Sequence, residues 1–223
     1  MWLRLGFKGS VRNVMSSFKR IGILGAGRAG TAFARAAARH GIAVQIASTR
    51  TPSQMRYHLM QYAPQAEAID AEDIGIGVDI VILAVPQEDL DEVEPDWLAH
   101  RILIDATNRW EDEPLPEWFE SDLATGLSSS EVIARRFASA TVVKALNHIS
   151  HWDMDAPASS EERAAVVASD DPSAAQIVAD FVTTLGFLPV VADNLAAGRY
   201  TEPGTHYFNV AATSQQLSRY LLQ

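Results

Sequence analysis

Ile21-Gly22-Ile23-Leu24-Gly25-Ala26-Gly27-Arg28-Ala29-Gly30 is the stretch that decides the fold. A short apolar strand pattern runs straight into three glycines spaced G-x-G-x-x-G. An alanine-rich helical pattern then occupies 28–40 and is closed by Gly41. In a dinucleotide-binding turn the first glycine makes the tight bend, the second lets backbone approach the pyrophosphate, and the third lets helix and strand pack closely. The helix N-terminus that follows favours an anion through its unpaired N–H groups and its dipole. The motif alone is common, so its context carries the weight: a strand before it, a helix after it, and a second strand over Ile42–Ala47. Gly25, Ala26, Gly27, Arg28, Ala29 and Gly30 are therefore candidate cofactor contacts, with Arg28 adding a cation near the phosphates.

The end of the second strand selects the dinucleotide. An NAD site places an acid there, about 20 residues past the turn, to accept from the ribose 2′-hydroxyl. This chain has Ala47-Ser48-Thr49-Arg50 and no acid. Hydroxyls at Ser48 and Thr49 can donate to a 2′-phosphate, and the forked guanidinium of Arg50 can neutralise it. NADP(H) is the expected cofactor.

Downstream, strand and helix patterns alternate, which is the mark of a parallel α/β sheet. Pro52–Tyr62 reads as helix, with proline at its first position, and a weak third strand falls near Glu67–Ile69. Asp79–Pro86 is an unbroken apolar run, suited to a central strand covered on both faces. A short helix is predicted over Gln87–Val93, a strand over Arg101–Asp105, and an ordered surface loop over Trp110–Glu120. Ser128–Phe137 reads as helix, and Thr141–Ala145, Ala164–Ala168 and Phe187–Ala192 as strands. Asp171 and Pro172 start a helix that Gly186 closes, and the second half of the tail from Pro203 is helical. The expected fold is α/β: a Rossmann-type, doubly wound, mostly parallel sheet with extra C-terminal strands and helices. Residues 1–18 are expected to be a flexible leader, 19–223 a single domain, and about 141–223 its C-terminal extension.

Composition limits the remaining choices. The 223 residues carry a formal net charge of −10, which argues against nucleic acid, whose phosphates need a basic surface. The chain has no cysteine, which excludes disulfides and thiolate metal sites. No apolar run approaches a bilayer-spanning length, and Met1–Val14 lacks the apolar stretch of a signal peptide. A cytoplasmic location and no membrane partner are expected. His148 and His151, three apart, have metal-ligand spacing, but no convincing further ligand accompanies them. Lys144, the one lysine in the later strands, invites comparison with a catalytic lysine; its place at a strand end favours a structural or cofactor-edge role.

Taken in order, the motifs resemble the family of NADPH-dependent coenzyme F420 reductases. Ser48-Thr49-Arg50 is similar to its serine-arginine element, and Val81–Pro86 to its Leu-Ala-Val-Pro strand end. Asp105-Ala106-Thr107-Asn108 resembles its Asp-Ala-Thr-Asn element, and Val142–Ile149 its Val-Val-Lys-Ala-Phe-Asn segment. Gly186–Asp193 and Glu202-Pro203-Gly204-Thr205 resemble its late strand and C-terminal element, so the likeness covers about 19–212. A similar domain forms the cytosolic part of membrane ferric reductases.

The resemblance implies direct hydride transfer between NADP(H) and coenzyme F420, a flavin such as FAD or FMN, or another small-molecule acceptor. In such proteins the nicotinamide lies near the strand end matching Ala84, Val85 and Pro86. Asn108 belongs with the cofactor contacts, and Asn147 and His148 sit where the second cofactor is contacted. No catalytic acid or base is implied, and a homodimer through the C-terminal region is. Trp110, Trp118, Phe119 and Trp152 are candidates for the second-cofactor pocket or for packing. The tail Thr205–Val210 and the bulky 148–152 segment depart from the family pattern and leave the acceptor open. The competing readings are a small-substrate NADP-dependent dehydrogenase or imine reductase, and a non-catalytic NADP sensor.

Overall fold

The computed structural model describes residues 18–109, 114–156 and 163–222. The expected leader, apart from Phe18, and Trp110 lie outside the described residues. Among those described, eight strands form one sheet in the order β3-β2-β1-β4-β5-β6-β7-β8. They are β1 (Arg20–Leu24), β2 (Ala43–Ala47), β3 (Ala66–Ala68), β4 (Ile80–Leu83), β5 (Ile102–Asp105), β6 (Thr141–Ala145), β7 (Ala164–Ala168) and β8 (Leu188–Val191). All neighbours are parallel except β6 and β7, where Lys144 faces Ala168 across an antiparallel ladder. The chain winds outward from β1 to β3 and then crosses back to β4. That reversal opens a crevice at the carboxyl ends of β1 and β4, where open α/β sheets bind ligands.

Both faces are covered, which explains the continuous apolar run in β4. Ile80 and Ile82 enter the core beneath α1 (Arg28–Arg39), α2 (Pro52–Tyr62) and α6 (Pro172–Thr184). Val81 and Leu83 enter the opposite core, with Phe119 of α3 (Glu117–Leu123) and Val132 and Ile133 of α4 (Ser129–Arg136). Each buried aliphatic side chain of this kind is worth about 1.5–3 kcal/mol. A third, smaller core joins Ala164, Val166 and Val190 to Leu217 of α7 (Ser214–Leu221).

Local chemistry sets the helix ends. Thr51 and Gln54 form a capping box that starts α2, and Ser128 with Glu131 does the same for α4. Asp171 accepts from the backbone of Ser173 and Ala174 ahead of Pro172. Two segments differ from the sequence expectation. Residues 87–92 form a 3₁₀ helix rather than an α-helix. The predicted surface loop is helical from Glu117, because Pro116 serves as its N-cap and Phe119 is fully buried. Among the described residues no helix is long and apolar enough to cross a membrane.

The three glycines of the turn have separate jobs. Gly25 has φ +117°, and a Cβ there would stand 2.3 Å from the Ala84 carbonyl oxygen. A Cβ on Gly30 would meet the Gly25 carbonyl oxygen at 1.8 Å. A Cβ on Gly27 would meet nothing within 4 Å. Gly30→Ala is therefore expected to lower Tm by several degrees, whereas Gly27→Ala should leave it within about a degree. Equal melting temperatures for the two variants would contradict this division.

Candidate functional site

A cleft of about 1110 Å³ runs along the carboxyl edge of the sheet. It is lined by Gly25–Ala29, by Ser48–Arg50, by Ala84–Pro86, and by Asn108 and Asn147. Thirteen of the fifteen predicted site residues thus meet in one cavity; Gly30 and His148 stand behind its wall. Gly30 acts there by letting α1 approach β1.

The phosphate end is electropositive and uncapped. Gly27 is the N-cap of α1, its missing side chain leaves the first N–H groups of the helix without a side-chain cap, and no acid stands in the first turn. Arg28 and Arg50 are exposed, and among the described residues neither guanidinium has a partner. Ser48 Oγ accepts from the Arg50 backbone N–H at 3.1 Å and lies 3.1 Å from Met55 Sδ, which orients the corner after β2. An NADP cofactor fits this arrangement: backbone donors and room for a pyrophosphate beside Gly27, and hydroxyls plus a guanidinium after β2, a donor set suited to a 2′-phosphate.

The far wall is held by a buried ion pair. Lys144 Nζ lies 3.1 Å from Asp105 Oδ2, and both side chains are fully buried. Lys144 also donates to the Thr107 carbonyl at 3.0 Å. Asp105 accepts further from the Thr107 N–H and hydroxyl and from Ser130 Oγ, at 2.6–2.9 Å. Gly198 packs so closely that a Cβ there would lie 2.9 Å from Lys144 Cγ. Lys144 does not line the cleft, so its role is to fix the 105–108 turn.

Asn108 and Asn147 sit above this pair. Asn108 Nδ2 donates to the Asn147 carbonyl at 2.8 Å, and Asn147 Nδ2 donates to Asn108 Oδ1 at 3.2 Å and to the Thr201 carbonyl at 2.8 Å. Thr201 Oγ lies 2.7 Å from the Gly198 carbonyl oxygen and 3.0 Å from Asn147 Oδ1, so its one proton is shared between two acceptors. Both N–H groups of the Asn147 amide are taken by protein acceptors, and Asn108 keeps one amide N–H that can serve a ligand. Leu146, just before, is fully buried with φ +66°, a strained conformation at the cleft wall. His148 is 2% exposed: its Nε2 accepts from the Val166 N–H at 3.3 Å, which assigns the proton to Nδ1, 3.4 Å from Asn147 Oδ1.

The mouth is completed by Trp152, one of the aromatic candidates, and by an anchoring of α5 that the sequence pattern did not reveal. α5 (His151–Asp155) is fastened to α1 by a forked pairing of Arg35 with Asp155, at 2.8 Å from Nε, and by Arg39. Hydrogen bonding to Arg35, with the charges of both arginines, holds the Asp155 carboxyl below its usual range. This anchoring sets His151 and the largely exposed Trp152 at the cleft. Trp97, His58 and Asn209 also line it. Phe119 is core, and Trp118 donates to Asp91 at 2.6 Å beneath the Arg136 guanidinium, so neither is a pocket residue. Among the described residues no three His, Asp or Glu side chains cluster as a metal site would require.

Burial, reinforced by the Lys144 charge, pushes the His148 imidazole down to about 4. The unfolded ring takes a proton near its ordinary 6.5, so the unfolded state binds more protons as pH falls from 6.5 toward 4. Stability from this group is full above that window and is lost through it. His148→Gln removes the titration. The unfolding free energy of the wild type is expected to fall more steeply than that of the variant across the window, by on the order of 3 kcal/mol in total. Parallel denaturation curves would contradict the buried neutral histidine.

Residues 20–109 match the family model described as NADP oxidoreductase, coenzyme F420-dependent. The resemblance read from the motifs is borne out over that stretch. Metalloreductase STEAP3 of Rattus norvegicus is 29% identical over 199 residues, covering 87% of this chain, which spans 38% of that protein's length. A hypothetical protein, SMa0349, of Sinorhizobium meliloti superposes with TM-score 0.73 at 24% identity, over 90% of this chain and 97% of that one. A candidate F420-dependent NADP reductase of Arthrobacter sp. FB24 superposes with TM-score 0.64 at 24% identity, over 81% of this chain and 87% of that one. Both solved structures share the Rossmann-type fold.

Proposed function

We propose that the chain is an NADPH-dependent oxidoreductase that exchanges a hydride between NADP(H) and coenzyme F420, FAD, FMN or a similar planar acceptor. The observation that carries this reading is a single cleft joining an unpaired Arg50, the uncapped start of α1 and the Ala84–Asn108–Asn147 wall. When bound, the nicotinamide supplies the hydride. The protein's own residues bind, orient and exclude water. Gly27–Ala29 offer backbone donors to the pyrophosphate, and Ser48, Thr49 and Arg50 take the 2′-phosphate. Ala84, Val85 and Pro86 form an apolar floor for the nicotinamide end, where position rather than acid–base chemistry lowers the barrier. The spare N–H of Asn108 orients a carbonyl or amide at that floor.

Two measurements test the reading. Steady-state NADPH oxidation with F420, FMN and FAD as acceptors should show turnover with at least one of them; inactivity with all three would favour a sensor or a different substrate. Arg50→Ala should weaken NADPH by at least about tenfold, a loss of roughly 1.5–3 kcal/mol for a charge-assisted contact, while barely changing NADH. Equal effects on the two cofactors would remove the 2′-phosphate assignment.

A further inference from the structure

His58 is a residue that neither the motifs nor the mechanism uses, yet it reaches the glycine turn. It lies on α2, half-buried, lines the cleft, and its Nε2 stands 2.8 Å from the Ala26 carbonyl oxygen. A carbonyl only accepts, so Nε2 carries the proton and donates. α2 reaches the other end of the phosphate site too, where Met55, three residues earlier on the same helix face, touches Ser48 Oγ.

The Ala26 carbonyl belongs to the same peptide plane as the Gly27 N–H. In a trans peptide the two groups point in opposite directions, so fixing one fixes the other. Gly27 sits at φ −80° and has no Cβ, and glycine accepts positive φ as readily as negative. Rotation of the Ala26–Gly27 peptide by half a turn is therefore sterically open at Gly27, and it would reverse the N–H at the very start of α1. No side chain caps that end of the helix.

We propose that His58 is a positioning residue for the dinucleotide. Its N–H holds the Ala26–Gly27 peptide in one orientation, so that the pyrophosphate meets a preorganised turn instead of one it must first order. This rests on the dinucleotide reading of the cleft but not on the choice of NADP. Because it acts at the pyrophosphate, which NADPH and NADH share, it affects both alike, whereas Arg50 separates them.

The test is direct binding of NADPH and of NADH to the full chain by calorimetry, for the wild type, His58→Leu, His58→Gln and Arg50→Ala, with Tm recorded for each. Leucine keeps apolar bulk and removes the donor; glutamine places an amide N–H near the Nε2 position. His58→Leu is expected to weaken both dinucleotides by the same factor, about threefold to tenfold, at an unchanged NADPH-to-NADH ratio. His58→Gln should recover most of that loss. With whichever acceptor supports turnover, the apparent KM for the dinucleotide should rise in His58→Leu while kcat stays put. Equal weakening by leucine and glutamine would reduce His58 to packing and overturn the proposal. So would unchanged affinity in His58→Leu, or a shifted cofactor ratio. If Arg50→Ala instead proves silent while His58→Leu weakens both dinucleotides, the NADP assignment fails and the His58 role stands.

Discussion

Three backbone segments must touch at one point for this molecule to have a site at all. Gly25 closes on the Ala84 carbonyl at the end of β4, and Gly30 closes on Gly25 at the start of α1. Each approach is shorter than any side chain permits, so the sequence must supply glycine at both positions. The Gly25 N–H bonds the Ala47 carbonyl at 2.8 Å, and the Ala84 N–H bonds the Leu24 carbonyl at 2.8 Å, which ties the turn to β2 and β4 together. The reversal of sheet order at β1 and β4 then becomes a crevice with a helix N-terminus on its floor. The alanines of α1 let the helix lie close against the sheet without widening that crevice.

The opposite wall depends on a different kind of interaction. A buried lysine and aspartate would be costly alone, and their attraction seldom offsets desolvation unless further hydrogen bonds satisfy the remaining atoms. Here Thr107, Ser130 and the Thr107 carbonyl provide them. Such a pair adds little net stability but has one geometry, which suits a turn that must hold Asn108 and Asn147 in fixed positions. The neutral His148 beneath completes the same network and borders the antiparallel β7, where the sheet departs from the parallel order of its first six strands.

Much of this was legible in the residues. The G-x-G-x-x-G turn, the two-faced apolar run of β4, the capping residues and Pro52 and Pro172 each have one local solution, and the structure adopts it. What escaped depended on contacts distant in sequence. His58 reaches Ala26 across 32 residues and Arg35 reaches Asp155 across 120, and no periodicity encodes either. Trp110–Glu120, with Pro114 and Pro116, reads as a surface loop, whereas Pro116 in fact starts a helix. The motifs put His148 beside the second cofactor, but it stands behind the cleft wall with its ring turned to the β7 backbone, a choice that strand patterning does not show.

The carboxyl-edge cleft is proposed to hold NADPH with its 2′-phosphate at the end of β2. A crystal structure of the NADPH complex tests it most directly. Pyrophosphate density against Gly27–Ala29 with the 2′-phosphate on Ser48, Thr49 and Arg50 is the predicted result. A dinucleotide bound elsewhere, or one whose 2′-phosphate points away from Arg50 into solvent, would contradict it.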